Sequence, residues 1–240
     1  MNQQVSKTIV VTGGTSGIGR ATTIVLAAQG HKVIATGLFD QELDDCSKDP
    51  LMAGVDFVKL DVCDEAKVRD IFSGLEVLHG LVNCAGVGRS GDEFASAGFS
   101  RTMEINLNGT MHCCYAAKDL LAVQGGAIVN IGSLMSFFGS ATAPAYSASK
   151  GAVLQFSKSL AAAWAVDGIR VNAVAPGWIA TRMTEGIQHE DSIMQKVKRA
   201  PMGRWGQPED IANGIEFLLS EKAAFITGII LPIDGGYSAV

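Results

Sequence analysis

The stretch Thr8-Ile9-Val10-Val11-Thr12-Gly13-Gly14-Thr15-Ser16-Gly17-Ile18-Gly19 decides the fold. A short β-branched run gives way to spaced glycines, and a helical stretch follows from about Gly17 to Gln29, stopped by Gly30. Glycines at 13, 17 and 19 let the chain turn tightly and bring its backbone close to a pyrophosphate. The N–H groups and dipole at the start of the next helix favour that anion. The spacing is Gly-x-x-x-Gly-x-Gly rather than Gly-x-Gly-x-x-Gly. Ordinary turns also use glycine, but between the first strand and first helix of an α/β chain this loop reads as a dinucleotide cradle.

Outward from this loop the same alternation continues. Further strands are expected at Lys32–Thr36, Asp56–Leu60, Gly80–Asn83, Ala127–Ile131, Arg170–Val174 and Gly228–Pro232. Helices are expected at about Glu65–Phe72, Phe99–Val123, Tyr146–Val166 and Pro208–Leu219. Several strands are almost continuously apolar, as a parallel sheet covered on both faces requires. The pattern predicts the α/β class: one doubly wound, Rossmann-like domain over residues 1–240, with a seven-stranded parallel sheet flanked by helices. Only Gly177–Arg204 breaks the rhythm. It follows a strand end and shows no strong period, so it is expected to be a lid over the substrate, a peripheral helix pair being the plainer alternative.

Composition narrows the function. With 240 residues, 48% hydrophobic and 18% charged, the chain has a globular make-up and enough length for a sizeable core. Its formal net charge of −5 and lack of a basic run speak against nucleic acid as a partner. No run reaches the ~18 apolar residues of a membrane span. The polar start Met1–Lys7 does not read as a signal peptide. Five cysteines (Cys46, Cys63, Cys84, Cys113, Cys114) form no Cys-x-x-Cys, and His31, His79, His112 and His189 are scattered. Neither a disulfide framework nor a metal site is expected, and a reducing, cytoplasmic location follows.

Chemistry is written in Tyr146-Ser147-Ala148-Ser149-Lys150. On a helix, a phenol and an ammonium at i and i+4 share one face, and Pro144 suits the start of that helix. A free phenol titrates near pH ~10, and an adjacent cation lowers that value toward useful acid/base catalysis. Ser133 follows the strand Ala127–Ile131 at the carboxyl edge of the sheet, where its hydroxyl is placed to meet a substrate oxygen. A Tyr-x-x-x-Lys alone is common by chance; its coincidence with the glycine loop and Ser133 is not.

In order along the chain stand Thr12-Gly13-x-x-x-Gly17-x-Gly19, Asn83-Cys84-Ala85-Gly86, Asn106, Ser133, Tyr146-x-x-x-Lys150, Pro176-Gly177 and Asp234-Gly235-Gly236. This set resembles the short-chain dehydrogenase/reductase family over nearly the whole length. The resemblance implies an NAD(P)-dependent oxidoreductase that interconverts a secondary alcohol and a ketone by hydride transfer. Tyr146 would be the general acid/base, Lys150 would lower its pKa and hold the nicotinamide ribose, and Ser133 would position the substrate oxygen. Asn106 would help hold a relay water, or simply satisfy backbone groups. The second Asn usual in the family is replaced by Cys84. Cofactor contacts are expected from Gly13, Ser16, Gly17, Ile18, Gly19, Leu38, Val62, Asn83, Ala85, Gly86, Tyr146, Lys150, Pro176, Gly177, Ile179 and Thr181. Asp61 would accept from adenine, or else cap the next helix. A homotetramer or homodimer built on the Phe99–Val123 and Tyr146–Val166 helices is also implied.

Cofactor choice is read from Ala35-Thr36-Gly37-Leu38-Phe39-Asp40. Gly37 stands where NAD-dependent relatives place Asp, and Leu38 where many NADP-dependent ones place Arg. A 2′-phosphate without a cationic partner would be poorly compensated, so NAD(H) is favoured and NADP(H) stays open. Leu134, Met135, Phe137, Phe138, Trp178 and Met183 are candidates for an apolar substrate wall, and Arg89, Arg182 and Arg199 for contacts to an acidic group. A small-molecule alcohol or ketone is the expected partner, its identity open. The competing reading, a non-catalytic NAD(P)-binding sensor of the same fold, is disfavoured because both Tyr146 and Lys150 are kept.

Overall fold

The computed structural model describes residues 6–88 and 91–240, so Arg89 lies outside the described residues. Seven parallel strands form one sheet: β1 (Thr8–Thr12), β2 (Lys32–Gly37), β3 (Asp56–Lys59), β4 (Gly80–Asn83), β5 (Ala127–Ile131), β6 (Arg170–Pro176) and β7 (Ile230–Ile233). Their spatial order is β3-β2-β1-β4-β5-β6-β7. The order reverses between β1 and β4, which opens a crevice beyond their carboxyl ends. Val11 pairs with Ala35 on one side and Val82 on the other, so Gly13 and Cys84 emerge side by side there.

Alternation along each strand sorts the core into two layers. Val10, Ile34, Leu81, Ile128 and Val171 pack against α3 (Glu65–Ser73), α5 (Gly109–Gln124) and α6 (Pro144–Trp164). Ile9, Val11, Val33, Val82 and Val129 pack on the other face against α1 (Gly17–Ala28) and α8 (Pro208–Leu219). Polar groups inside the first layer are chained: Asn83 Nδ2 donates to Asn130 Oδ1 at 2.8 Å, and Asn130 Nδ2 donates to the Ser157 hydroxyl at 2.9 Å. This chain ties β4, β5 and α6 together where a lone polar group would destabilise.

The helix expected over Phe99–Val123 is interrupted. α4 (Ser96–Met103) passes into a π-helical turn, Glu104–Asn108, before α5 begins. The wide turn carries Asn106 inward, and a Cβ on Gly109 would come within 2.5 Å of Val62 Cγ2. Two helices carry no strong sequence signal. α2 (Asp40–Ser47) is almost wholly polar and buries only Cys46. α7 (Asp191–Arg199), inside the segment read as lacking a period, buries Ile193 and Val197 at i and i+4. Nine residues hold too few turns for that spacing to stand out.

Candidate active site

The β1–α1 loop builds one wall of the crevice. Gly13 takes φ +62° and lies so close to β4's exit that a Cβ there would sit 2.9 Å from Ala85 Cα. The requirement is doubled, by conformation and by space. Ser16 N-caps α1 without a side-chain cap bond, which leaves first-turn N–H groups facing the groove. Three adjoining cavities share Ser16, Gly86 and Val87 and form one channel. One end, about 210 Å³, is lined by Leu38, Asp61 and Val62. The middle, also about 210 Å³, is lined by Gly13, Gly17, Ile18, Gly19, Ala85, Tyr146, Lys150, Pro176, Gly177, Ile179 and Thr181. The far end widens to about 730 Å³.

Ser133, Tyr146 and Lys150 meet where the middle and wide parts join. Ser133 caps the short 3-10 turn Leu134–Ser136, its Oγ accepting from the Met135 N–H at 3.1 Å. The same side chain stands beside the Tyr146 phenol and favours its ionised form. Lys150 lies one turn along α6, with Nζ 5.9 Å from the Tyr146 ring centre, and donates to the Ile131 carbonyl at 2.9 Å. Burial pulls its pKa down to about 8. Burial also pushes the Tyr146 phenol above its ordinary value; the neighbouring Ser133 side chain opposes that rise and the charge of Glu93 adds to it. The lowering expected from Lys150 is therefore not the leading effect here, because the ammonium is turned to a carbonyl and the ring is desolvated.

Two asparagines face the protein rather than the channel. Asn106 Oδ1 accepts from the Val87 N–H at 2.8 Å, and its Nδ2 donates to the Val87 carbonyl and the Ser149 hydroxyl, both at 3.0 Å. Asn83 is 3% exposed and held against Asn130 and Cys114, so its side chain does not line the channel. Asp61 does not cap α3; Asp64 does, accepting from the Lys67 N–H at 3.0 Å. Asp61 instead lines the channel, with one oxygen accepting from the Cys63 N–H.

Of the expected wall, Leu134, Met135, Trp178 and Met183 line the wide cavity, joined by Val87, Ala143 and Ile187. Phe138 packs edge-on against Tyr237, and Arg199 stacks over that same ring, 4.8 Å from its centre, away from the cavity. Phe137 is exposed and lines none of the channel. Arg182 reaches across the channel mouth to Glu42 of α2 at 2.6 Å, and Glu42 also accepts from the Thr15 hydroxyl at 3.3 Å. Glu42 has no sequence signal, since α2 shows no apolar period to place it. Glu93, in a glycine-flanked loop, is equally silent.

Residues 13–238 match the family described as enoyl-(acyl carrier protein) reductase. A cis-4-hydroxycyclohexanecarboxylate dehydrogenase from Sinomonas cyclohexanicum is 38% identical over 241 residues, 96% of each chain. A short-chain type dehydrogenase/reductase structure from Mycobacterium ulcerans superposes with TM-score 0.92 at 30% identity, covering 98% of this chain and 92% of that one. The chain belongs to the short-chain dehydrogenase/reductase family. It is thus an NAD(P)-dependent oxidoreductase. A putative 2-deoxy-D-gluconate 3-dehydrogenase from Agrobacterium tumefaciens, 34% identical with TM-score 0.89 over both full chains, is known with bound NADP. The channel fits such a dinucleotide: uncapped N–H groups of α1 stand at its middle, which Gly13, Gly17, Gly19 and Gly86 line without side chains.

Proposed function

We propose that this dehydrogenase/reductase interconverts a secondary alcohol and a ketone, with Tyr146 as general acid/base. The convergence of Ser133, Tyr146 and Lys150 at the joint between the middle and wide cavities carries this reading. Leu38, Asp61 and Val62 would hold the adenosine end, Gly13 to Gly19 the pyrophosphate, and Lys150, Pro176, Gly177, Ile179 and Thr181 the nicotinamide half. Bound there, the nicotinamide supplies or accepts the hydride. In reduction, the phenol donates its proton to the nascent alkoxide, and the Ser133 hydroxyl stabilises charge on that oxygen. In oxidation, the phenolate takes the hydroxyl proton, so acid and base are one group. Lys150 holds a positive charge one turn below the phenol and steadies the phenolate. Asn106 serves by holding the Val87 segment of the channel and the Ser149 hydroxyl beneath Tyr146, and Asn83 by holding β4 to β5.

NAD(H) is favoured over NADP(H). Among the described residues, the cation lining the adenosine end, Arg101, faces Asp61, and Arg20 and Arg182, which line the adjoining cavity beside Ser16, face Asp49 and Glu42. A Cβ at Gly37 would lie 2.7 Å from the Thr15 side chain, and the acid that lines this end with it is Glu42, which accepts from the Thr15 hydroxyl. The apolar wall and the named substrate of the Sinomonas relative favour a compact cyclic alcohol. Residues 177–204 act as the lid, and copies associate through α4–α6. Free cysteines and the lack, among the described residues, of any helix able to cross a membrane support a cytoplasmic setting. The test is Tyr146→Phe, assayed with NAD⁺ and cis-4-hydroxycyclohexanecarboxylate, cyclohexanol and a wider alcohol panel. Turnover falls ~10²–10⁴-fold while the fold and cofactor affinity persist; full activity in the variant refutes the assignment.

A further inference from the structure

Glu93 is 2% exposed, in the loop between β4 and α4. One carboxylate oxygen accepts from the backbone N–H of Tyr146 at 3.1 Å, the other from the Thr102 hydroxyl at 3.2 Å. Both donors are side-on to structural joints. Tyr146 is the third residue of α6, so its N–H has no acceptor within the helix, and the N-cap residue, Ala143, has no polar side chain to offer. Thr102 is fully buried in the last turn of α4, just before the π-helical turn that carries Asn106. On its other side, the Tyr146 carbonyl accepts from the Ser149 hydroxyl at 2.8 Å, and that hydroxyl is held by Asn106. The backbone of Tyr146 is therefore gripped from both sides, and the only charged group in the grip is Glu93.

We propose that Glu93 is a positioning residue for Tyr146: its carboxylate closes the open start of α6 and places a buried negative charge against the Tyr146 backbone. The role rests on the reading of Tyr146 as the acid/base. A carboxylate at a helix N-terminus gains from the dipole and from the unpaired N–H groups, which compensates its burial. Its negative charge favours the protonated phenol, and so adds to the upward push of burial on Tyr146. The charged groups recorded at Tyr146 among the described residues are Glu93 from the loop and Lys150 from α6. Glu93 favours the protonated phenol that reduction uses, while the Lys150 ammonium is turned to the Ile131 carbonyl.

The substitution that separates charge from shape is Glu93→Gln. Its amide oxygen still accepts from the Tyr146 N–H, while the charge is gone. The readout is the near-ultraviolet absorbance of tyrosinate during alkaline titration of the free protein, with Tyr146→Phe protein subtracted. Glu93→Gln lowers the Tyr146 midpoint by about half a pH unit or more, with an unchanged melting temperature. Glu93→Ala lowers the midpoint too and also melts earlier, because the N–H loses its acceptor. A Tyr146 step at the same pH in wild type and Glu93→Gln, or no Tyr146 step in either, overturns the proposal. The acid/base reading fails by a different result, retained turnover in Tyr146→Phe, so the two failures are distinguishable.

Discussion

At the scale of residues, Lys150 shows most directly how a buried ionisable group taxes the fold. It is 6% exposed, and its one recorded hydrogen bond goes to the Ile131 carbonyl. Burial pulls it to about 8, whereas a lysine in an unfolded chain titrates near ~10.4. Between these values the unfolded chain binds more protons, so stability rises with pH there, and the burial penalty acts in full below about 8. Lys150→Met removes that penalty, up to roughly 3 kcal/mol, but leaves the carbonyl unpaired. Relative to wild type, the variant is therefore at its best near pH ~7 and loses ground toward pH ~10. Its turnover and cofactor affinity fall throughout. Melting curves across this range check it; a difference that grows with pH contradicts a charged, buried lysine.

Leu38 and Glu42 decide a second residue-scale question. Leu38 is 43% exposed and lines the proposed adenosine end together with Glu42. An arginine at position 38 alone would be drawn to the Glu42 carboxylate. With Leu38→Arg and Glu42→Gln combined, the guanidinium is free to pair bidentately with a 2′-phosphate. The ratio of kcat/KM for NADPH over NADH is expected to rise roughly tenfold to a hundredfold. No change in that ratio would mean that the 2′ position lies elsewhere.

At the scale of elements, the segment 177–204 splits into two parts. α7 is anchored through Ile193 and Val197, both buried. The stretch before it is tied more lightly: Thr181 rests on Gly17, Met183 on Gly88, and Arg182 reaches Glu42 with three-quarters of its side chain exposed. An exposed ion pair holds little, and the proposed lid motion belongs to this stretch rather than to α7. Hydrogen exchange should show residues 180–190 protected at least ~fivefold on adding NADH, with α7 changing less. Equal exchange with and without NADH would make the segment a fixed part of the wall.

At the scale of the whole molecule, apolar side chains stand uncovered along α5 and at the end of α6. Tyr115, Val123 and Val166 are exposed, and Tyr115 lies edge-on to Phe156, 6.0 Å between ring centres. Rings held in place on a helix face suit burial against a second copy. Native mass spectrometry at micromolar concentration is expected to show a dimer or tetramer, and Tyr115→Glu to weaken it. A monomer in both proteins would contradict association through this face.

Sequence alone determined the sheet, the glycine loop and the shared face of Tyr146 and Lys150. Ile9 to Thr12, the glycines at 13, 17 and 19, and Tyr146 with Lys150 act through local geometry, where neighbours along the chain are neighbours in space. The strand ends moved by only a residue or two, as with β2 running on to Gly37. Tertiary structure alone decided what depends on distant partners. It turned Asn83 and Asn106 inward, broke the long helix at Glu104–Asn108, and gave the cap of α3 to Asp64 instead of Asp61. It also brought Glu42 beside Thr15 and Glu93 beneath Tyr146. A carboxylate has no period, and its role is set by which donor the fold brings within about 3 Å of it. That distance is written in packing between elements, not in the order of residues within one.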